Sequence, residues 1–318
     1  MPSKLEQLKT MTVVVADTGD IDAIRRFEPV DATTNPTLIL KAANMPHYAH
    51  LLDEAVLWGR SHSHLTSEIT ERLAIKFGVE LAKIVPGRVS TEVDADLSFD
   101  IDGTVIKARS IIAEYEKLGL SRDRILIKIA GTWEGIRAAE ILQNEGIDCN
   151  MTLIFSLTQA AACADAGAFL ISPFVGRILD WYTKTEGKIY TAENDPGVRS
   201  VGEIYSYFKA HDIKTVIMGA SFRNKGEIEA LAGCDRLTIS PQLMEELAKD
   251  SGNLPRALEP KSAAQHAPAL LSLDEKTFRF MLNEDAMATE KLSEGIRVFA
   301  RDMRALRELV SKRLLEAA

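Results

Sequence analysis

Short β-branched or apolar runs recur along this chain, each followed by a stretch with helical spacing. No other feature restricts the fold as much. The runs are Thr12 to Ala16, Val30 to Thr34, Arg88 to Val93, Ile125 to Ile129, Cys149 to Phe155, Phe169 to Ser172, Thr215 to Gly219 and Arg236 to Ile239. Between the second and third, Ile69, Leu73, Phe77, Leu81 and Ile84 form a stripe at three- and four-residue spacing, closed by Pro86-Gly87. Ile136 to Asn144 reads as another helix, stopping near Gly146. Two more fit between Arg177 and Thr215, separated by Asp195-Pro196-Gly197. A last helix, 285–316, carries Leu292, Ile296, Phe299, Met303, Leu306 and Val310 on one face.

Strands alternating with helices predict a parallel α/β sheet. An open doubly wound sheet is one way to build it. However, no G-x-G-x-x-G or phosphate loop follows the first strand, which removes the usual reason to prefer that fold. The expectation is a (β/α)8 TIM barrel with additional helices, one domain over 1–318, with helix 285–316 packed on the barrel. A chain of 318 residues suits a barrel of that kind. It can bury a core without disulfides or metals.

Composition removes several classes of function. Net charge is −8, which opposes general nucleic-acid binding and leaves any anionic substrate to locally placed arginines. Cys149, Cys163 and Cys234 show neither paired nor zinc-ligand spacing, which points to a reducing cytoplasm. No stretch has the length of a membrane helix, and MPSKLEQLK is amphipathic and unlike a leader peptide. His62 and His64 form an H-x-H in a polar, solvated loop without further ligands; His47, His50, His211 and His266 are scattered. No metal is expected. Trp58, Trp133 and Trp181 read as packing or interface residues.

Lys128 is the anomaly. In ILIKIA, period-two alternation puts Ile125, Ile127 and Ile129 on one face and Leu126, Lys128 and Ala130 on the other. An ammonium is costly to bury, and a lysine kept neutral by desolvation can attack a carbonyl. The alternative is an edge-strand lysine that snorkels to water. Its company argues for chemistry. Strand ends carry Asp17, Thr33, Asn35, Glu92, Asn150, Thr152, Ser172, Ser221 and Arg223, which a barrel would gather at one pocket. Asp17 and Glu92 are candidates for proton transfer, although Asp94 and Asp96 lie close enough to Glu92 to leave that choice open. Arg177 and Arg223 each follow a strand, and a guanidinium fork suits a phosphate.

At these residues the chain resembles the transaldolase family, in its longer bacterial and eukaryotic form. The similar segments are ADTGD, DATTNPTLILKAA, VPGRVSTEVDADLS, RILIKIAGTWEGIRAAE, CNMTLIFS, LISPFVGRILDWY, DPGVRSV, MGASFRN and AGCDRLTISP, in the family's order from Asp17 to Pro241. The stretch 250–268 matches no motif. The resemblance implies a class I aldolase barrel with its Schiff-base lysine on the fourth strand, where Lys128 falls. It implies no cofactor, and sugar phosphates as substrates. A dihydroxyacetone unit would pass from sedoheptulose 7-phosphate to glyceraldehyde 3-phosphate, giving erythrose 4-phosphate and fructose 6-phosphate. Lys128 would be the nucleophile and Asp17 the acid/base at the C4 hydroxyl; Glu92 would act through a water shared with Thr152. Asn35, Asn150 and Ser172 would hold the dihydroxyacetone hydroxyls, Thr33 and Phe174 would line the pocket, and Arg177, Ser221 and Arg223 would bind phosphate. The family also implies a cytoplasmic homodimer joined through its last helices. Two other readings stay open: a fructose 6-phosphate aldolase-like lyase, and a sugar-phosphate sensor without turnover. The first is a shorter chain without the water-holding glutamate.

Overall fold

The computed structural model describes residues 2–63 and 65–316. Its strands are β1 (Val13–Asp17), β2 (Asp31–Thr33), β3 (Val89–Glu92), β4 (Ile125–Ala130), β5 (Cys149–Ile154), β6 (Leu170–Pro173), β7 (Val216–Gly219) and β8 (Arg236–Ile239). Each pairs in parallel with the next, and β8 closes on β1. The expected barrel is the one observed, with strand ends moved by a residue or two.

Alternation along each strand builds two cores. Ile125, Ile127 and Ile129 face outward into the large core shared with the surrounding helices. Leu126 points inward and stacks with Val15, Leu170 and Met218 in an apolar layer inside the barrel. Below it, at the N-terminal ends of the strands, Arg236 pairs with Asp31, and both Arg88 and Arg236 lie over the Phe169 ring at 4.3 and 5.7 Å. The inward positions above the apolar layer are polar, so the barrel interior is open to polar chemistry only toward the C-terminal ends of the strands.

Local sequence sets the strand-to-helix turns. Asn35, Thr132, Ser156, Asn224 and Ser240 each cap the helix that follows a strand by accepting a backbone N–H. Such a cap satisfies one otherwise unpaired donor and stabilises the helix by about 1 kcal/mol. The Asp195-Pro196-Gly197 break is itself such a start, with Asp195 capping helix Pro196–Ala210. The expected helix with Ile69, Leu73, Phe77 and Leu81 buried runs Thr66–Ala82.

One expectation needs correction. His62 is not in a loop: it ends helix Ala49–His62 and stacks on Trp58 at 5.2 Å. His64 and the side chain of His266 lie outside the described residues. Within the stretch 250–268, Leu254 is buried with its N–H bonded to Gln7 at 2.9 Å, and the short helix Pro260–Ala263 packs against helix Pro196–Ala210. Cys149, Cys163 and Cys234 are free and buried.

The terminal helix Ala286–Glu316 crosses the mouth of the barrel. β5 admits it through an irregularity: Leu153 takes a left-handed φ of 57°, and the register shifts between Met151 and Ile154. The Leu153 methyls then lie 2.6 Å from where a Cβ at Gly295 would sit, so only glycine allows this approach. Thr37 donates to the buried carboxylate of Asp302 at 2.5 Å and ties the other side of the helix down.

Candidate active site

Lys128 sits on the inward face of β4, with Glu92 of β3 and Asn150 of β5 as its register partners. The lysine is 4% exposed, so it does not snorkel. Its Nζ donates to the Thr34 carbonyl at 3.2 Å and lies 3.4 Å from Glu92 Oε2. The Phe299 ring of the terminal helix closes the space above it, 6.0 Å away.

Two carboxylates face this amine in different settings. Asp17 ends β1 and accepts from Thr33 Oγ1 at 3.2 Å, and Thr33 also bonds Thr238 at 2.9 Å. Burial pushes the Asp17 carboxyl above its ordinary range, against the pull of Lys128, the Thr33 hydroxyl and Arg177. Burial likewise raises Glu92, against Lys128 and Arg177. Both can therefore hold or release a proton at a higher pH than a surface carboxylate. The buried Thr152 Oγ1 has no hydrogen-bond partner among the described residues, and Glu92 Oε2 has only Lys128 beside it, although buried polar atoms are normally paired. Of the three carboxylates between which the sequence left the choice open, Glu92 is the one beside Lys128. Asp94 and Asp96 turn instead to the terminal helix, at 3.1 and 3.3 Å from Arg307.

A chain of side-chain hydrogen bonds backs the lysine. Ser172 Oγ donates to Asn150 Oδ1 at 2.6 Å, and Asn150 Nδ2 donates to Ser90 Oγ at 3.0 Å. All three residues are buried, so their rotamers are held before any substrate arrives. Asn35 spends its Oδ1 on the Leu38 N–H at 2.9 Å, which points its amide group into the cavity.

The arginines differ from each other. Arg177 lies half-buried over the Phe174 and Phe299 rings, at 5.0 and 5.4 Å. Burial, and then the neighbouring Arg223, lower its pKa. Arg223 is on the rim and forks onto Asp180, with Nη2 at 2.7 Å, while its Nη1 reaches Ser221 Oγ at 3.3 Å. It does not line the cavity, whereas Arg177 and Ser221 do.

The cavity measures about 130 Å³. Asp17, Thr33, Asn35, Lys128, Ser172, Phe174, Arg177 and Ser221 line it, together with Thr37, Thr238, Met218 and Phe299. Glu92 and Asn150 reach it through Lys128 and Ser172, and Thr152 sits one step up β5, opposite Ala130. Sequence reasoning missed Ser90, Thr34, Thr37, Thr238 and Asp180. Period two would have found Ser90, which shares a face with Glu92, and Thr238, which alternates with Leu237 and Ile239. A larger groove, about 780 Å³, runs along Tyr182, Glu186, Arg199 and Glu203. It has size but no comparable convergence of buried polar groups, so the smaller cavity is the candidate site. Among the described residues one cluster, Asp20, Asp22 and His47, has metal-ligand proximity. Its carboxylates serve a helix cap and a pair with Arg25.

This arrangement can do nucleophilic carbonyl chemistry: a buried amine, two carboxylates, a polar cradle and cations at the mouth. The family described as Transaldolase/Fructose-6-phosphate aldolase matches residues 14–310. The proteins named Transaldolase of Rhizobium etli (strain CIAT 652) and Agrobacterium fabrum (strain C58 / ATCC 33970) are each 64% identical over 100% of both chains. That of Cellvibrio japonicus (strain Ueda107) is 59% identical over 98% of this chain and 99% of its own. With site, fold and full-length similarity in agreement, the chain belongs to the transaldolase/fructose-6-phosphate aldolase family.

Proposed function

We propose that the chain is a transaldolase, a transferase that moves a dihydroxyacetone unit from sedoheptulose 7-phosphate to glyceraldehyde 3-phosphate in the non-oxidative pentose phosphate pathway. The observation that carries this is Lys128, almost wholly buried within 3.4 Å of one carboxylate and sharing a cavity with a second. Lys128 Nζ adds to the donor ketone. Glu92, with a water shared with Thr152, relays the protons that turn the carbinolamine into an iminium and release water. Asp17 takes the C4 hydroxyl proton, the C3–C4 bond breaks into the iminium, and an aldose leaves. The enamine then adds to the acceptor aldehyde, and hydrolysis frees Lys128. Asn35, Asn150 and Ser172 hold the three-carbon unit between the two halves, which limits its loss by protonation. Arg177, Ser221 and Arg223 take the phosphate, with Arg223 exchanging Asp180 for it.

Borohydride added to a mixture with fructose 6-phosphate should leave a stable adduct on Lys128 by peptide mapping. Donor cleavage should also depend on an acceptor aldehyde. Cleavage to free dihydroxyacetone at the same rate without acceptor makes the chain a lyase; no adduct on folded protein makes it a sensor.

Phosphate recognition has its own test. Arg223→Ala should raise KM for a phosphorylated donor about tenfold or more, the scale of a lost charge-assisted pair. KM for free dihydroxyacetone should stay near that of the parent. Equal shifts for both donors remove Arg223 from phosphate binding. We also infer a cytoplasmic homodimer, from the family alone; mass in solution by light scattering decides the oligomer.

A further inference from the structure

Beneath the loop carrying Ser221 and Arg223 lie two buried carboxyl groups that no step above uses. Glu227, on helix Lys225–Ala230, is 0% exposed, and Asp195 is 2% exposed. Asp195 Oδ1 accepts the N–H groups of Gly197 and Val198 at 2.7 and 3.2 Å. Glu227 Oε2 accepts the Arg223 backbone N–H at 2.6 Å. Asp195 acts on the Glu227 charge, and Glu227 Oε1 has no hydrogen-bond partner among the described residues. Two buried carboxyl groups that act on each other do not both ionise cheaply, so one of them keeps its proton to a higher pH.

The loop above needs an anchor. Ser221 holds a left-handed φ of 61°, unfavourable for a residue with a side chain, which persists only where its surroundings enforce it. Its carbonyl takes the Gly176 N–H at 2.9 Å. Gly176 packs so close that a Cβ there would lie 2.5 Å from that oxygen and 2.6 Å from Arg223 Cγ. On the far side, the Glu227 carboxyl takes the Arg223 N–H. Between these two fixings lie Ser221 Oγ and the guanidinium that reaches it.

Other charges near the pair are engaged elsewhere. Lys225 Nζ is 2.5 Å from Asp250, and Glu229 takes Lys4 at 2.9 Å. Asp180, on the neighbouring helix Val175–Glu186, is committed to the Arg223 guanidinium. That leaves Asp195 and Arg223 as the charged groups acting on Glu227.

We propose that Glu227 is a positioning residue for phosphate: buried beside Asp195, it anchors the backbone of Arg223 and sets affinity for the phosphorylated end of the donor. This rests on the phosphate reading of Ser221 and Arg223. Burial pushes the Glu227 carboxyl up to about 7, with Asp195 adding to the rise against the backbone N–H of Arg223. Ionising Glu227 sets two buried like charges against each other beneath the loop, so the anchor is complete below that pH and is strained as pH rises through it, although the Arg223 N–H favours the ionised carboxyl.

The test is KM for a phosphorylated donor from pH 6.5 to 9, beside free dihydroxyacetone, in the parent protein, Glu227→Gln and Glu227→Ala. In the parent, KM for the phosphorylated donor should rise about fivefold with pH, while that for dihydroxyacetone does not follow. Glutamine keeps an acceptor for Arg223 with no proton to lose, so its profile should lack that rise. Alanine should raise KM about tenfold at the acid end of that range and by less at the alkaline end, where the parent's own anchor is strained, with a smaller change in kcat. A Glu227→Gln profile parallel to the parent's overturns the proposal, as does a Glu227→Ala KM equal to the parent's. If the alanine variant does not fold, the glutamine profile decides alone. Arg223→Ala in the same series separates the two ideas. Discrimination by that variant alongside a parent-like Glu227→Gln profile sinks only the anchor, whereas no discrimination by Arg223→Ala sinks the phosphate reading.

Discussion

Replacing Lys128 by methionine should lower kcat by roughly four orders of magnitude or more, the scale seen when a covalent nucleophile is removed. It should also abolish the borohydride adduct. Methionine suits the site sterically: it is unbranched, close in length, and the position lies in a buried strand. The fold should survive, and a cooperative thermal transition would confirm that the loss is chemical. The side effect is predictable too. Lys128 is the largest influence opposing the burial that raises Glu92, so without it the Glu92 carboxyl should rise further and stay protonated at higher pH. A variant that keeps a tenth of the parent activity would mean that the amine is not the nucleophile.

Asp17→Asn should separate imine formation from bond cleavage. An amide cannot take the C4 hydroxyl proton, so kcat should fall about 10²- to 10⁴-fold, the usual range for losing a positioned base. The Schiff base should still form, because Lys128 and Glu92 are untouched, and borohydride should trap as much adduct as before or more. Loss of trapping in parallel with turnover would instead place Asp17 in imine formation. pH gives a second reading. Asp17 works ionised, and burial raises its carboxyl, so parent kcat should fall on acidification from a higher pH than an exposed aspartate would give. In Asp17→Asn that acid limb should disappear.

The two variants probe parts of the site that were legible to different degrees. ILIKIA shows its lysine on one face by simple alternation, and the structure puts that face inside the barrel, with Leu126 below Lys128. The same rule covers Asp17, Thr33, Glu92, Asn150 and Ser172, because each sits on a short strand whose two faces differ in polarity. The choice among Glu92, Asp94 and Asp96 was not legible. A strand end and the loop after it look alike in sequence, and only the pairing of Glu92 with Lys128 in register separates them.

Local patterns along this chain determine its strands, the face each presents, the helix starts and the one lysine set among apolar residues on a strand, because backbone periodicity and capping act over a few residues. What stands across the mouth was decided by packing over long separations. Phe299 reads as one more apolar residue on an amphipathic helix, and Asp302 as a polar one on the same helix, 265 positions from the Thr37 it holds. Asp180 beneath Arg223 and the Asp195–Glu227 pair have no local signature either. Their partners meet only when β6 and β7 pair and the helices around them settle, so it is packing between separate elements that turns scattered polar residues into a site.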